Sequence, residues 1–155
     1  MTRPSKDQTL MRVALVWAEQ STCSRMSVGC VVALDDRTLS SGFNGAPRGM
    51  PHCDHTCDCE LLEFPSDVYG HHEECNSGPS GCVAVHAEAN AIAWAARNGN
   101  ALLGSTLYTT LTPCAKCAEL IVIAGVARVV WRTIYRDVSG LDLVVASGIS
   151  TQQVL

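Results

Sequence analysis

Hydrophobic and polar positions along the chain follow a helical period in some segments and a strand period in others. Residues 7–20 place Leu10, Val13, Ala14 and Trp17 at helical spacing, which predicts an amphipathic first helix. The elements predicted in chain order are a helix at 7–20, strands at 26–34 and 38–45 joined by a tight "DDR" turn, a helix from 86 to about 98, a strand at 105–111, a helix at 113–125, a strand at 126–131, a helix at 140–149 and a last strand at 149–155. This alternation predicts a single α/β domain over 1–155, with helices on both faces of a central mixed sheet of about five strands.

Composition narrows the class of protein. The 155 residues are 47% hydrophobic and 17% charged, with a formal charge of −4, so the basic footprint of a long nucleic-acid partner is missing. The longest apolar run, 118–131, is interrupted by Glu119, Gly125 and Arg128, which predicts that it does not span a membrane. We find no secretory signal and expect a cytoplasmic protein. In a reducing compartment, nine cysteines are more typical of metal ligands and core positions than of disulfides.

Two cysteines stand at the start of a predicted helix. Cys114 and Cys117 are three residues apart, so both thiols project from one helical turn, where the N-terminal partial charge favours thiolate. Alone, this pair equally fits a redox pair or two buried thiols. His86 begins another helix, and if the two helix starts face each other the three residues supply one nitrogen and two sulfurs. Three ligands and an open coordination position are typical of a catalytic zinc.

Glu88 follows His86 by two residues, which is about 200° of helical rotation. The pair can therefore act on one object only if that object lies beyond the N-terminal end of the helix. Glu88 is then placed to take and return a proton beside a water at the open position. A lone histidine or glutamate at a helix start is more often a cap or a surface charge. Together, H-x-E and P-C-x-x-C form the signature of zinc nucleobase deaminases.

The segments "HAEANAI", "TLTPCAKC" and "FNGAPRG" together resemble the deoxycytidylate deaminases of the cytidine deaminase superfamily, over about residues 10–149. The resemblance implies a three-layer α/β/α fold of the phage or bacterial type and zinc-dependent hydrolysis of dCMP to dUMP and ammonia, which supplies thymidylate synthesis. It implies that Asn44 contacts the sugar or its phosphate, that Tyr135 approaches the phosphate, and that Arg97 lies near the phosphate or a subunit contact. It also implies a homohexamer regulated by dCTP and dTTP, with Mg²⁺ accompanying the nucleotide effector.

Residues 45–82 form a long connection rich in cysteine and histidine, which predicts a metal clip in place of a hydrophobic anchor. The resemblance implies a second, structural zinc whose family ligand positions match Cys23 and Cys53, and Cys75 and Cys82 are the candidates that would complete the site. Two alternatives stay open, namely a separate site formed by "CDC" at 57–59 with His71, His72 or Cys75, and a set of unliganded thiols. Cys30 lies in an apolar strand and is predicted to be a core residue.

Other candidates concern the ligand and the assembly. The arginines that are candidates for binding the phosphate or an effector, each of which is alone more typical of a solvated surface charge, are Arg48, Arg97, Arg132 and Arg136. The tryptophans predicted to lie in the core or at a subunit interface are Trp17, Trp94 and Trp131. The alternative functions are deamination of a 5-substituted dCMP, of guanine or of a tRNA adenosine, and a structural zinc module without activity. The acidic pI disfavours tRNA, and Glu88 disfavours the structural module.

Overall fold

The computed structural model describes residues 3–23, 26–50, 52 and 84–155. The elements in these ranges are α1 (Lys6–Ala18), β1 (Gly29–Leu34), β2 (Arg37–Phe43), α2 (Ala87–Arg97), β3 (Thr106–Leu111), α3 (Ala115–Ile123), β4 (Arg128–Thr133), α4 (Ser139–Ala146) and β5 (Ser150–Gln153). Each predicted element is present, with ends that differ by no more than three residues. Within the described ranges, the helices are too short or too polar to cross a membrane.

The five strands form one mixed sheet in the order β2-β1-β3-β4-β5. β1 pairs antiparallel with β2 and with β3, whereas β3, β4 and β5 run parallel. The β1–β2 turn uses Asp35 and Asp36, both with positive φ (48° and 63°), a backbone conformation that Asp adopts more readily than most residues. The tight turn predicted there is confirmed.

Helices cover both faces of the sheet, which confirms the three-layer α/β/α class. The face beneath α1 packs Met11 and Ala14 against Val31, Tyr108 and neighbouring residues. The core on the opposite face, beneath α2, α3 and α4, is formed mainly by Cys30, Val32, Ala87, Ala91, Ala95, Leu102, Leu107, Ala118, Ile121, Val126, Val129 and Val144. Cys30 is fully buried here, as predicted from its apolar strand.

The tryptophans differ in their surroundings. Trp131 packs against the core beneath α2–α4. Trp17 lies at the rim of α1, where it is 36% exposed and stacks on Phe43 with ring centroids 6.1 Å apart. Trp94 is 50% exposed, so the core alternative is wrong for this residue. The helical spacing of apolar residues correctly predicted α1. Met11 and Ala18 belong to its buried face, whereas Trp17 does not.

The sheet holds the starts of α2 and α3 close together. β3 leads directly into α3, and α2 presses against β2 at Gly42. A Cβ at Gly42 would lie 2.5 Å from the Ala87 carbonyl oxygen and 2.6 Å from the Ala91 nitrogen. Glycine therefore permits a helix-to-strand approach that a side chain would prevent.

Candidate metal centre

His86 lies at the start of α2, beside the end of β2. An antiparallel bridge joins Gly45 to Val85, with N···O distances of 3.1 and 2.9 Å, and fixes the chain just before the histidine. His86 is the N-cap residue in an extended conformation (φ −69°, ψ 152°), and its side chain makes no capping hydrogen bond. The imidazole contacts the start of the neighbouring α3.

The two cysteines lie at the start of α3. Cys114 is the N-cap residue, also extended (φ −75°, ψ 169°), and Cys117 lies in the first turn. The Sγ atom of each cysteine is 3.4 Å from His86 Nδ1, and the three ligand atoms lie within 4.8 Å of one another. A tetrahedral Zn²⁺ with bonds of about 2.3 Å to sulfur and 2.0 Å to nitrogen separates such atoms by roughly 3.5 Å. The donor set and its spacing both fit zinc.

His86, Cys114 and Cys117 form the candidate metal-ligand cluster, and hydrogen bonds among them link the pKa values of the three side chains. A hydrogen bond from Cys117 lowers the pKa of the Cys114 thiol, and the same contact raises the pKa of Cys117. The hydrogen bond with Cys114 raises the pKa of His86. Both cysteines and the histidine lie at helix N-termini, which stabilise thiolate. The cluster can thus exchange its protons for a cation.

Glu88 extends into the protein beside the cluster. Its side chain is 4% exposed, and burial raises the pKa of the carboxyl, opposed by backbone hydrogen bonding and by the charge of His86. Thr109 Oγ1 lies 3.2 Å from Glu88 Oε1. A buried carboxyl with a raised pKa next to a metal-ligand cluster is suited to take and return a proton.

Asn44 follows β2 and is 8% exposed. Its Oδ1 accepts hydrogen bonds from Ser21 Oγ (2.7 Å) and Val28 N (2.8 Å), and its Nδ2 donates to Met26 O (2.7 Å). These bonds hold the segment after α1 against the end of β2. An amide nitrogen carries two hydrogens. The bond to Met26 uses one of them, so Nδ2 can donate the other.

Tyr135 and Arg97, the two other predicted substrate contacts, lie at different distances from the metal-ligand cluster. Tyr135 follows β4, and its backbone nitrogen donates to Thr112 Oγ1 (2.7 Å), two residues before Cys114. Arg97 is at the opposite end of α2 from His86, roughly 15 Å away along the helix axis, where its guanidinium lies 5.4 Å from the centre of the Trp94 ring. The structure therefore brings Tyr135 near the cluster and separates Arg97 from it within one chain.

The remaining candidates are exposed, half-buried or outside the described residues. Arg48, Arg132 and Arg136 are exposed, like Arg97. Cys23 is half-buried, and its backbone nitrogen donates to Ser21 Oγ. The predicted site residues that lie outside the described ranges are Cys53, Cys57, Cys59, His71, His72, Cys75 and Cys82.

Sequence reasoning missed two threonines near the cluster. Thr109 contacts Glu88, and Thr112 positions the chain at Tyr135. One signal was available: Thr109 alternates with Leu107 and Leu111 along β3, so it is a polar residue in an apolar row just before the cysteine pair.

A mixed sheet between helical layers, with one histidine and two cysteines at facing helix starts and a buried glutamate beside them, defines the class of zinc-dependent hydrolytic deaminases. Comparison with known families agrees. A family model described as the cytidine and deoxycytidylate deaminase zinc-binding region matches residues 4–133. The chain belongs to this family.

Individual relatives point to one branch. The chain is 41% identical over 131 residues to the deoxycytidylate deaminase of Mycobacterium phage D29, which covers 84% of this chain and 97% of the relative. It is 34% identical over 152 residues to that of Enterobacteria phage T2, with 84% and 81% covered. The crystal structure of dCMP deaminase from cyanophage S-TIM5, in complex with dCMP and dUMP, matches with a TM-score of 0.78 and 30% identity, covering 99% of this chain and 100% of that one.

Proposed function

We propose that this protein catalyses the zinc-dependent hydrolytic deamination of dCMP to dUMP and ammonia, and so supplies dUMP for thymidylate synthesis. The observation that carries the proposal is the convergence of His86, Cys114 and Cys117 beside the buried carboxyl of Glu88. The similarity to phage deoxycytidylate deaminases supports the choice of substrate.

In the proposed mechanism, His86, Cys114 and Cys117 would hold the zinc. When bound, this ion would act as a Lewis acid that activates water near neutral pH. Glu88 takes the proton released by the attacking water and delivers it to N3 of the cytosine ring as oxygen adds to C4. Glu88 then takes the second proton of the former water, from the hydroxyl now on C4, and transfers it to the exocyclic amine, which leaves as ammonia as the C4 carbonyl forms. The raised pKa of this buried carboxyl suits both directions of transfer.

Asn44 and Tyr135 are the proposed contacts for the sugar and phosphate. Asn44 is held by three hydrogen bonds, so a donor at Nδ2 would meet the nucleotide in a fixed position. Tyr135 is tied through its backbone to Thr112, near the metal ligands. The S-TIM5 structure with dCMP and dUMP supports a nucleotide ligand for this fold. For Arg97, whose distance from the cluster is large within one chain, we propose a contact in an assembly.

Two further features are proposed from the family resemblance, namely a homohexameric assembly and regulation by dCTP and dTTP with Mg²⁺. Length and cysteine usage are the grounds for proposing a single domain over 1–155 and a cytoplasmic location. A second, structural zinc would be held by Cys23 and, outside the described residues, by Cys53, Cys75 and Cys82.

An ultraviolet assay over a set of substrates tests the proposal. Purified protein of measured zinc content is given cytosine, cytidine, CMP, dCMP, dCTP and a 5-substituted dCMP. We expect dCMP to be turned over fastest and cytidine, without a phosphate, to be poor. Cys114→Ser, which removes one ligand, is the control and should lose zinc and activity together.

Two results would contradict the proposal. Absence of dCMP turnover by zinc-loaded protein would reject the assigned reaction. Equal rates for cytidine and dCMP would reject the phosphate contact assigned to Tyr135 while leaving the deaminase assignment in place.

A further inference from the structure

Thr109 occupies the centre of the sheet directly beneath Glu88. It is fully buried in β3, the middle strand, and pairs in register with Cys30 of β1 and Trp131 of β4. Its Oγ1 is 2.8 Å from the Leu111 carbonyl oxygen and 3.2 Å from Glu88 Oε1. The hydroxyl thus joins the candidate proton carrier to the central strand of the sheet.

The chemistry of a hydroxyl suits this place. A hydroxyl has one hydrogen to donate and two lone pairs that accept, whereas the Leu111 carbonyl only accepts. When Thr109 donates to Glu88, it holds an ionised carboxyl; when Glu88 carries the proton, Glu88 donates to Thr109, which donates to Leu111. A hydrogen bond to Oε1 is therefore available at both stages of proton transfer. The β-branched side chain is also stiff about χ1, so the hydroxyl stays in position.

We propose that Thr109 is a positioning residue for the deamination reaction. It binds one oxygen of the Glu88 carboxyl and fixes the rotation of that group, so that the other oxygen meets the nucleotide in a constant direction. The inference rests on the proposed function, because it assigns Glu88 as the proton carrier. It adds a residue that lies neither in the metal-ligand cluster nor on α2.

Thr109→Val tests the inference, because valine has nearly the same shape and lacks the hydroxyl. We expect kcat for dCMP to fall about 10- to 100-fold, the range expected for a misplaced catalytic group, with KM within threefold. Zinc content should stay at the wild-type value. Thr109→Ser, which restores the hydroxyl, should recover most of kcat. If the valine variant does not fold, Thr109→Ala takes its place.

Thr110→Val is the matched control. Thr110 is the next residue on β3 and is 7% exposed, and its hydroxyl accepts from Gly29 N (3.1 Å) on the other side of the strand. Its loss should lower the melting temperature and leave kcat within twofold. An equal fall in kcat for both valine variants would show a merely structural effect and overturn the inference. Wild-type kcat in Thr109→Val, or no recovery in Thr109→Ser, would do the same.

A measurement that does not depend on turnover separates this inference from the assigned reaction. The ¹³C NMR signal of the Glu88 side-chain carboxyl, assigned by its loss in Glu88→Gln, should shift in Thr109→Val and stay in place in Thr110→Val. Wild-type protein that shows no dCMP turnover would reject the proposed function alone, and an unshifted carboxyl signal in Thr109→Val would reject the role of Thr109.

Discussion

At the scale of single residues, the site places a carboxyl where the fold would favour an apolar side chain. Glu88 is buried beside Ala87 and Ala91 in the core beneath α2–α4, and desolvation raises its pKa. Burial of an ionisable group costs stability unless partners compensate. Thr109 and the neighbouring cysteines and histidine supply polar contacts that offset part of this cost.

Glu88→Gln should therefore separate activity from stability. Glutamine keeps the size of the side chain and cannot carry the proton, so kcat should fall by about 10²- to 10⁴-fold or more. Zinc content should be unchanged, and the free energy of unfolding should be equal or higher because a buried acid is removed. Steady-state kinetics, metal analysis and urea unfolding check the three expectations. Turnover near the wild-type rate would remove Glu88 from the mechanism.

At the scale of elements, α4 supports the start of α3. Gly140, in the first turn of α4, packs directly on the backbone of Cys114, a proposed zinc ligand. A Cβ there would lie 2.1 Å from the Pro113 carbonyl oxygen and 2.6 Å from the Cys114 carbonyl oxygen. Backbone atoms cannot move aside as a flexible side chain can. The position of Cys114 therefore depends on the absence of a side chain at Gly140.

Gly140→Ala should weaken zinc binding although alanine is the better helix former. The methyl group must displace Cys114 or α4, and we expect zinc to be lost to a chelator at a concentration at least about 10-fold lower than for wild type. Val145→Ala is the control on the same helix, since Val145 is 55% exposed. Equal chelator sensitivity in wild type and Gly140→Ala would reject this role for α4.

At the scale of the whole molecule, a polar network joins α1 to the sheet on the face opposite the metal centre. The Asp7 carboxylate accepts hydrogen bonds from the two terminal guanidinium nitrogens of Arg128, at 2.9 and 2.8 Å, and from the hydroxyl of Tyr108 at 2.9 Å. Hydrogen bonding from Arg128 lowers the pKa of the Asp7 carboxyl. The network links the first helix to β3 and β4, which lie far along the chain. It is on the other side of the sheet from His86, Cys114 and Cys117.

Asp7→Asn should lower the free energy of unfolding by about 1–3 kcal/mol at neutral pH without changing zinc content or kcat. Because the folded-state pKa lies below the unfolded value near 3.8, the contribution is complete above that value and is lost as the pH falls through the folded pKa. Urea unfolding should thus show a constant difference from wild type between about pH 8 and 5 and a smaller one below about pH 4.

Asp36→Asn is the matched control for this network. Asp36 pairs with Lys6 at 3.0 Å, but both side chains are at least half exposed, and solvent screens such pairs. We expect little change in unfolding at any pH. A loss in Asp36→Asn equal to that in Asp7→Asn would show that general surface charge, and not the α1–sheet network, sets the difference.

The helices, the strands and the zinc-binding motifs could be predicted from the sequence, because they depend on local periodicity and on donor chemistry. Apolar spacing predicted each helix and strand, and the H-x-E and P-C-x-x-C segments predicted a zinc centre at two helix starts. Element ends were less accurate because capping decides them: Cys114 is the N-cap of α3, so the helix begins at Ala115 and not at Pro113.

The amino-acid pattern was enough to predict the kind of fold and the side chains proposed to bind zinc and move a proton. Tertiary structure alone decided that Thr109 meets Glu88, that Gly140 supports Cys114, that the Asn44 amide is held by three bonds and that Arg97 lies away from the cluster. Each of these depends on which elements lie side by side. Periodicity reports which face of an element is buried, whereas sheet order and helix packing determine what that face meets.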